Sequence, residues 1–440
     1  MLNNHYFNVI VVGGGISGSA LLYTLAKYTD ISDIALFEKY DKIASINSSV
    51  TGNSQTLHCG DIETNYTLEK AKKVKQTASI LEKYCLNHNY QNIHLHKFTK
   101  MALGVGDKEV AYIKKRYKEF KELYPYMELW DKEKLLEIEP ELLKGRKENI
   151  IAMGAMNKYC AIDFGAIANS FIDNAYKEKS NINVFLNQEI TSIKHIENKI
   201  ELKSDKSTYY ADYVVVNAGA HSLLLAHNMG YGQNYSCLPI GGSFFYAKKN
   251  SLSSKVYTVQ NPKLPFAAVH GDPDIAKNNT IRFGPTALAL PKLERFHSAH
   301  FIDFLESLSP DSDVLKVFYD LMHDSDIRDF VLKNFMYEIP GVRRKLFVKE
   351  LQKIVPTITA DDIEYAHNVG GLRPQVIDKV NRKLLLGEAK IDTQKGVVFN
   401  MTPSPGATSC IANAIDDVKM ICKYLNKTFY EDKFKTELLN

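Results

Sequence analysis

Between Phe7 and Glu38 the chain combines signals that few folds satisfy together. Phe7-Asn8-Val9-Ile10-Val11-Val12 is a short β-branched run, the pattern of a parallel strand buried on both faces. It stops at Gly13-Gly14-Gly15-Ile16-Ser17-Gly18, which fits G-x-G-x-x-G, and a helical stretch follows from Ser19 to about Tyr28. A second apolar run, Ile34-Ala35-Leu36-Phe37, ends at Glu38, 20 positions beyond Gly18. In such a unit Gly13 permits the tight turn, Gly15 lets backbone N–H groups approach a pyrophosphate, and Gly18 lets the helix pack close to the strand. The phosphates sit at the positive end of the helix, beside Ser17, and Glu38 can bind the two ribose hydroxyls of an adenosine. A glycine-rich turn with no ligand would leave Glu38 as a coincidence. The unit therefore predicts a dinucleotide site. Because it opens the chain and everything else is interleaved after it, FAD is a better reading than NAD.

The remainder reads as an interruption of that domain. Residues 66–90 and 107–145 are rich in Lys, Glu, Leu and Tyr at helical spacing, with Pro125 and Pro140 as punctuation. Asp163 caps a predicted helix to about Tyr176, and Val184–Leu186, Ile190–Ile193 and Ile200–Leu202 alternate like a strand meander. Tyr210–Val216 reads as another buried strand. Its small-residue ending, Asn217-Ala218-Gly219-Ala220, lets backbone at Ala218 and Gly219 pass close to a cofactor. From Leu238 to about Val342 the texture is β-rich, with segments at Gly242–Tyr246, Ala267–His270 and Ile281–Pro285. Helix returns over 300–335, with Phe304, Leu305, Leu308, Val314, Phe318 and Leu321 as its apolar positions. Short strands at Lys383–Leu386 and Gly396–Phe399 precede a turn, Pro403 to Thr408, and a helix to about Leu425.

The expected fold class is α/β, a Rossmann-type FAD-binding domain with an inserted α+β substrate domain carrying a mixed or antiparallel sheet. Residues 1–90, 151–235 and 346–440 are assigned to the FAD domain, 91–150 to a cap segment and 236–345 to the substrate domain.

Composition excludes several other classes. The 55 Lys and Arg against 51 Asp and Glu leave +4, and basic clusters alternate with acids, as in Lys114-Lys115-Arg116 followed by Lys118-Glu119, so nucleic acid is not an expected partner. No apolar stretch approaches the roughly 18 residues of a membrane span, and residues 1–5 lack the pattern of a signal peptide. Six scattered cysteines suggest neither a disulfide framework nor a zinc site. His94 and His96 have no third ligand beside them, and no metal is expected. These features predict a cytoplasmic protein with reduced thiols.

Eight segments, in order along the chain, carry a family resemblance. They are Gly13–Gly18 with Glu38, His58 with Asn65-Tyr66-Thr67, Leu238-Pro239-Ile240-Gly241-Gly242, Lys255-Val256-Tyr257, His270-Gly271-Asp272, Phe283-Gly284-Pro285, Gly371-Leu372-Arg373, and Ser404-Pro405-Gly406-Ala407. On these the chain resembles the FAD-dependent malate:quinone oxidoreductases, within the wider group of two-domain flavoproteins that includes D-amino-acid oxidase. The resemblance implies oxidation of L-malate to oxaloacetate, with electrons passed to a membrane quinone. Two alternatives stand beside it: an FAD enzyme acting on another L-2-hydroxy acid, such as 2-hydroxyglutarate or lactate, and a flavin redox sensor without turnover.

Oxidising a secondary alcohol through a flavin needs a base for the hydroxyl proton, and histidine suits neutral pH. In His270-Gly271-Asp272 an extended backbone puts residues 270 and 272 on one face, so Asp272 can orient His270 as that base. A diacid also needs fixed cations, ideally a guanidinium fork. Gly370-Gly371-Leu372-Arg373-Pro374 offers Arg373 at a glycine-prefaced turn, with backbone at Gly371 close to the flavin. Arg282 or Lys292 could provide a second cation, and Tyr257 a hydrogen bond to substrate. Free N–H groups of Gly406 and Ala407, after Pro405, could stabilise negative charge on reduced flavin. His58 reads as a packing or cofactor-edge residue. A quinone acceptor implies peripheral contact with the inner face of the cell membrane, for which Lys419–Lys435, with five lysines among apolar residues, is the expected segment.

Overall fold

The computed structural model describes residues 5–249, 251–260, 268–297, 300–385, 388–402 and 405–440. Its first sheet grows from the N-terminal unit. Tyr6–Val12 pairs in parallel with Ile34–Phe37 on one side and with Thr208–Val216 on the other, and the parallel run extends to Ile182–Phe185 and Val397–Met401. These strands are short and nearly uniformly apolar because helices or hairpins cover both faces. On one face Ile16–Tyr28 packs between Phe164–Glu178 and Cys410–Leu425, around Leu21, Leu25, Phe171, Ile415 and Val418. Asp163 caps the second of these helices, its side chain accepting from Ala166 N at 2.9 Å. The other face is covered by His221–Asn228 and by the antiparallel Ile190–Ile196 and Lys199–Ser204.

A second, mixed sheet of eight strands lies outside that domain. Leu95–Val105 and Ile150–Ile162 are its long antiparallel pair, joined by Lys255–Thr258, His270–Asp274, Thr280–Gly284, Phe245–Ala247, Ile363–Tyr365 and Glu128–Trp130. A third sheet of four strands, with Tyr235–Gly241 against Leu372–Asp378 at its centre, connects the two. An α/β two-domain architecture is therefore observed, but the crossings between sheets differ from the expected boundaries. Ile150–Ile162 runs past residue 151 wholly within the second sheet, and Ile363–Tyr365 pairs there well after residue 346. At residue 151 the strand runs on without a break, and residue 346 lies inside the helix Arg343–Leu351. The expected strands Ala267–His270 and Lys383–Leu386 correspond to His270–Asp274 and Lys383–Leu385, and Ala267 and Leu386 lie outside the described residues. Arg373, expected in a turn, is the second residue of a strand, and Leu372–Asp378 had no counterpart in the sequence reading.

Candidate functional site

The C-terminal ends of the first sheet's strands open onto a cleft of about 730 Å³. Gly13, Gly15, Ser17 and Glu38 line it together with Ala218, Gly219, Gly371, Pro405 and Ala407. Gly15 is the N-cap of Ile16–Tyr28, so the helix N-terminus points into the cleft. Gly18 sits behind, in the helix, where a Cβ would lie 1.9 Å from Gly13 O. Only glycine lets this helix start so close to its strand. Glu38 is buried, and burial pushes its carboxyl upward, but Oε2 accepts from Gly14 N at 2.8 Å and Oε1 from Tyr40 N at 2.9 Å. Each oxygen keeps a lone pair for a further donor, as ribose hydroxyls require. Gly371 meets this half of the cleft from the third sheet, its Cα so near Gly52 that a Cβ would lie 2.0 Å from Gly52 O. Among the described residues the amides of Gly406 and Ala407 have no acceptor. Gly406 is buried behind Ala407 and does not line the cleft, and Pro403 and Ser404 lie outside the described residues. These residues fit a bound dinucleotide: a glycine turn, a helix N-terminus, an acid beyond the second strand and free amides at the far end.

Arg373 lines the same cleft from Leu372–Asp378. Among the described residues it has no carboxylate partner. Burial pulls its guanidinium below the ordinary range, offset only by the hydroxyls of Tyr66 and Tyr257. An uncompensated, partly buried cation is costly and calls for an anion.

His270, Asp272, Tyr257 and Arg282 are brought together, but behind the cleft wall, which Thr56 and Phe244 form there. His270 is 3% exposed, so it is no solvent-facing loop residue. Its ring stacks on Tyr257 with centroids 4.2 Å apart. Nε2 lies 3.1 Å from Asp272 Oδ2, and Nδ1 lies 3.1 Å from Ala268 O. Burial would raise the Asp272 carboxyl, but Lys255, His270 and Arg282 outweigh it and hold it down to about 2. Lys255 Nζ links this group to the cleft by donating to Thr56 Oγ1 at 3.0 Å, and Thr56 Oγ1 is 3.1 Å from Tyr257 OH. Arg282 is fully buried, with Nη1 3.6 Å from Asp274 Oδ2 and its guanidinium over the Phe244 ring. Its three side-chain nitrogens, like both Asp272 oxygens, make no aligned hydrogen bond among the described residues. Each such buried group costs about 1–3 kcal/mol until a partner is supplied. Lys292 does not line the cleft.

His58, read from sequence as a packing or cofactor-edge residue, lines the cleft and has a carboxylate of its own. Nδ1 is 2.6 Å from Glu63 Oε1, and among the described residues Nε2 has no protein partner. Glu63 is buried, which raises its carboxyl, but His58 and Lys100 hold it below the usual range. The spacing of five between His58 and Glu63, in a loop without periodicity, was the available signal.

Residues 5–439, almost the whole chain, match the family described as malate:quinone oxidoreductase. The chain belongs to this family. A probable malate:quinone oxidoreductase of Campylobacter jejuni is 52% identical, with 100% of each chain covered. A malate:quinone oxidoreductase of Helicobacter pylori is 47% identical, with 98% of each covered. Among solved structures, an L-α-glycerophosphate oxidase from Mycoplasma pneumoniae, crystallised with FAD bound, is similar in fold at a TM-score of 0.65 and 18% identity, with 94% of each chain covered. In this family member the dinucleotide-type turn and Arg373, which has no carboxylate partner among the described residues, face one cleft.

Proposed function

We propose that the chain binds FAD, oxidises L-malate to oxaloacetate and delivers the electrons to a quinone. The observation that carries this reading is the single cleft shared by the Gly13–Gly18 turn and Arg373, in a chain that belongs to the malate:quinone oxidoreductase family end to end. Gly13, Gly15, Ser17, Glu38, Ala218, Gly219, Gly371, Pro405 and Ala407 hold the cofactor, with Gly18 and Gly406 supporting them from behind. When bound, FAD supplies the hydride acceptor at its N5.

Arg373 takes one substrate carboxylate, and Arg282, whose three side-chain nitrogens make no aligned hydrogen bond among the described residues, answers the second across the Phe244 ring, which must turn aside to admit it. Tyr257 orients the hydroxyl. His270 receives its proton at Nε2, which makes no aligned hydrogen bond among the described residues, and the Asp272 carboxylate 3.1 Å away stabilises the charged ring. A second assignment of the base has a specific observation behind it: His58 lines the cleft with Nε2 free and Nδ1 on Glu63. Anaerobic stopped-flow reduction of His270→Ala and His58→Ala separates them. Loss of the base slows flavin reduction by roughly 10²-fold or more with FAD retained. Reduction of His270→Ala at the unsubstituted rate, with His58→Ala slowed, would move the role to His58.

Quinones reside in lipid, so the acceptor calls for a membrane-facing surface. Among the described residues no helix is long and apolar enough to cross a membrane. The C-terminal segment suits that surface less well. Its Ile421 and Phe434 are buried, Phe434 against Tyr28 at 5.4 Å, and Lys419 and Lys435 both pair with Glu431. Helices Phe301–Leu308, Ser312–His323 and Ser325–Met336 fit better. Their inner faces bury Phe304, Leu308, Val314 and Val317, yet Ile302 (66%), Leu315 (64%), Tyr319 (63%) and Phe335 (56%) are exposed. Leu315, Tyr319 and Met322 form one stripe at helical spacing, and Leu332, Phe335 and Met336 another. A soluble chain rarely exposes so much apolar surface without a use for it. We assign peripheral membrane contact to these three helices.

A further inference from the structure

At the adenosine end of the cleft, away from Arg373 and His270, Glu294, His297 and His300 recur at every third position of the chain. Their donor atoms, one from each, lie within 4.8 Å of one another. Glu294 Oε2 is 3.8 Å from His297 Nδ1 and 3.5 Å from His300 Nε2. Tetrahedral ligands at about 2.0–2.1 Å from a zinc ion stand about 3.3 Å apart, so the three atoms are within a few tenths of an ångström of a coordination triangle along those two edges. His300 is already oriented as a ligand. Its Nδ1 is 2.7 Å from Asp303 Oδ2, which fixes the tautomer that turns the Nε2 lone pair towards Glu294, the carboxylate–histidine–metal pattern.

The other carboxylate oxygen of Glu294 is engaged separately. Oε1 pairs with Lys39 and lies 3.2 Å from His221 Nε2, so Lys39 neutralises one edge of the carboxylate and leaves Oε2 with the two histidines and the Tyr40 hydroxyl. His297, 47% exposed, leaves an entry path from solvent and can swing the remaining distance. We propose that Glu294, His297 and His300, with Asp303 behind His300, bind one divalent transition-metal ion of the zinc class. The ion would tie the segment bearing these residues to the loop Lys39–Tyr40 that follows Glu38, at the mouth of the cleft.

The test uses untagged, FAD-loaded protein stripped with a chelator and titrated with Zn²⁺ alone, with bound metal read by calorimetry and by elemental content. The expected result is one zinc per chain at micromolar free metal. His297→Ala, at an exposed position, should lose at least tenfold in affinity with the flavin spectrum unchanged, His300→Ala should lose as much, and Asp303→Asn should weaken binding by roughly 10-fold or more, as loss of an orienting carboxylate does. No stoichiometric binding, or binding that survives unchanged in a His297→Ala/His300→Ala double variant, overturns the site.

Discussion

At the scale of single residues, the site is governed by which charges are paired and which are not. Asp272 is ringed by Lys255, His270 and Arg282, so its carboxylate persists in a fully buried place, whereas Arg373 has no acid partner among the described residues. The unpaired guanidinium is the group poised for an incoming carboxylate. Arg373→Met should therefore raise KM for L-malate roughly 10- to 100-fold, the worth of a charge-assisted pair, with FAD content unchanged. An unaltered KM in steady-state assays would remove Arg373 from substrate binding. Residue types at this scale were partly legible in the sequence. His-x-Asp in an extended run puts both side chains on one face, and strand His270–Asp274 does so. What the chain could not reveal locally was burial: Gly271 and Pro273 resemble turn formers, but cross-strand pairing with Thr280–Gly284 holds them in a sheet. His58 and Glu63 were not legible as a pair, because their contact is made by a loop whose path is set by residues far away, such as Thr408 against His58 N.

At the scale of elements, the N-terminal strand–turn–helix–strand was legible almost to the residue, since its signals are local: β-branched run, glycines, helix, acid. The strand Leu372–Asp378 was not. Gly370-Gly371 and Pro374 read as a turn, and it becomes a strand only because Tyr235–Gly241, more than a hundred residues earlier, lies alongside to pair with it. That pairing presses Gly371 against Gly52 and carries Arg373 to the cleft. Gly371→Ala forces a Cβ to within 2.0 Å of Gly52 O, a backbone atom that cannot turn aside. The substitution should destabilise the protein by about 2 kcal/mol or more and loosen FAD together with Arg373. Thermal unfolding followed by flavin fluorescence reads both. Release of flavin at the same temperature as in the unsubstituted protein would mean that the two segments do not depend on each other.

At the scale of the whole molecule, the chain is one cofactor domain interrupted by a second sheet, with the joint between them forming the cleft and three helices offering an apolar outer face. Composition could not reveal that face, because the positions read as apolar in 300–335 include those the helices bury, Phe304, Leu308 and Val314, and the exposed stripes stand out only once burial is known. Leu332→Glu/Phe335→Glu should cut co-sedimentation with lipid vesicles severalfold and slow reduction of a lipid-soluble quinone, while leaving malate-driven flavin reduction intact. Equal sedimentation would place the membrane contact elsewhere. All of this rests on the chemistry assigned to the cleft, and one measurement bears on it most directly: anaerobic mixing of the FAD-loaded protein with L-malate, and separately with L-2-hydroxyglutarate and L-lactate, followed by the flavin absorbance. L-Malate should bleach the yellow flavin, the other two acids should do so far more slowly, and a quinone analogue should restore the colour. A flavin that stays oxidised with L-malate while another acid reduces it would rule out malate as the substrate.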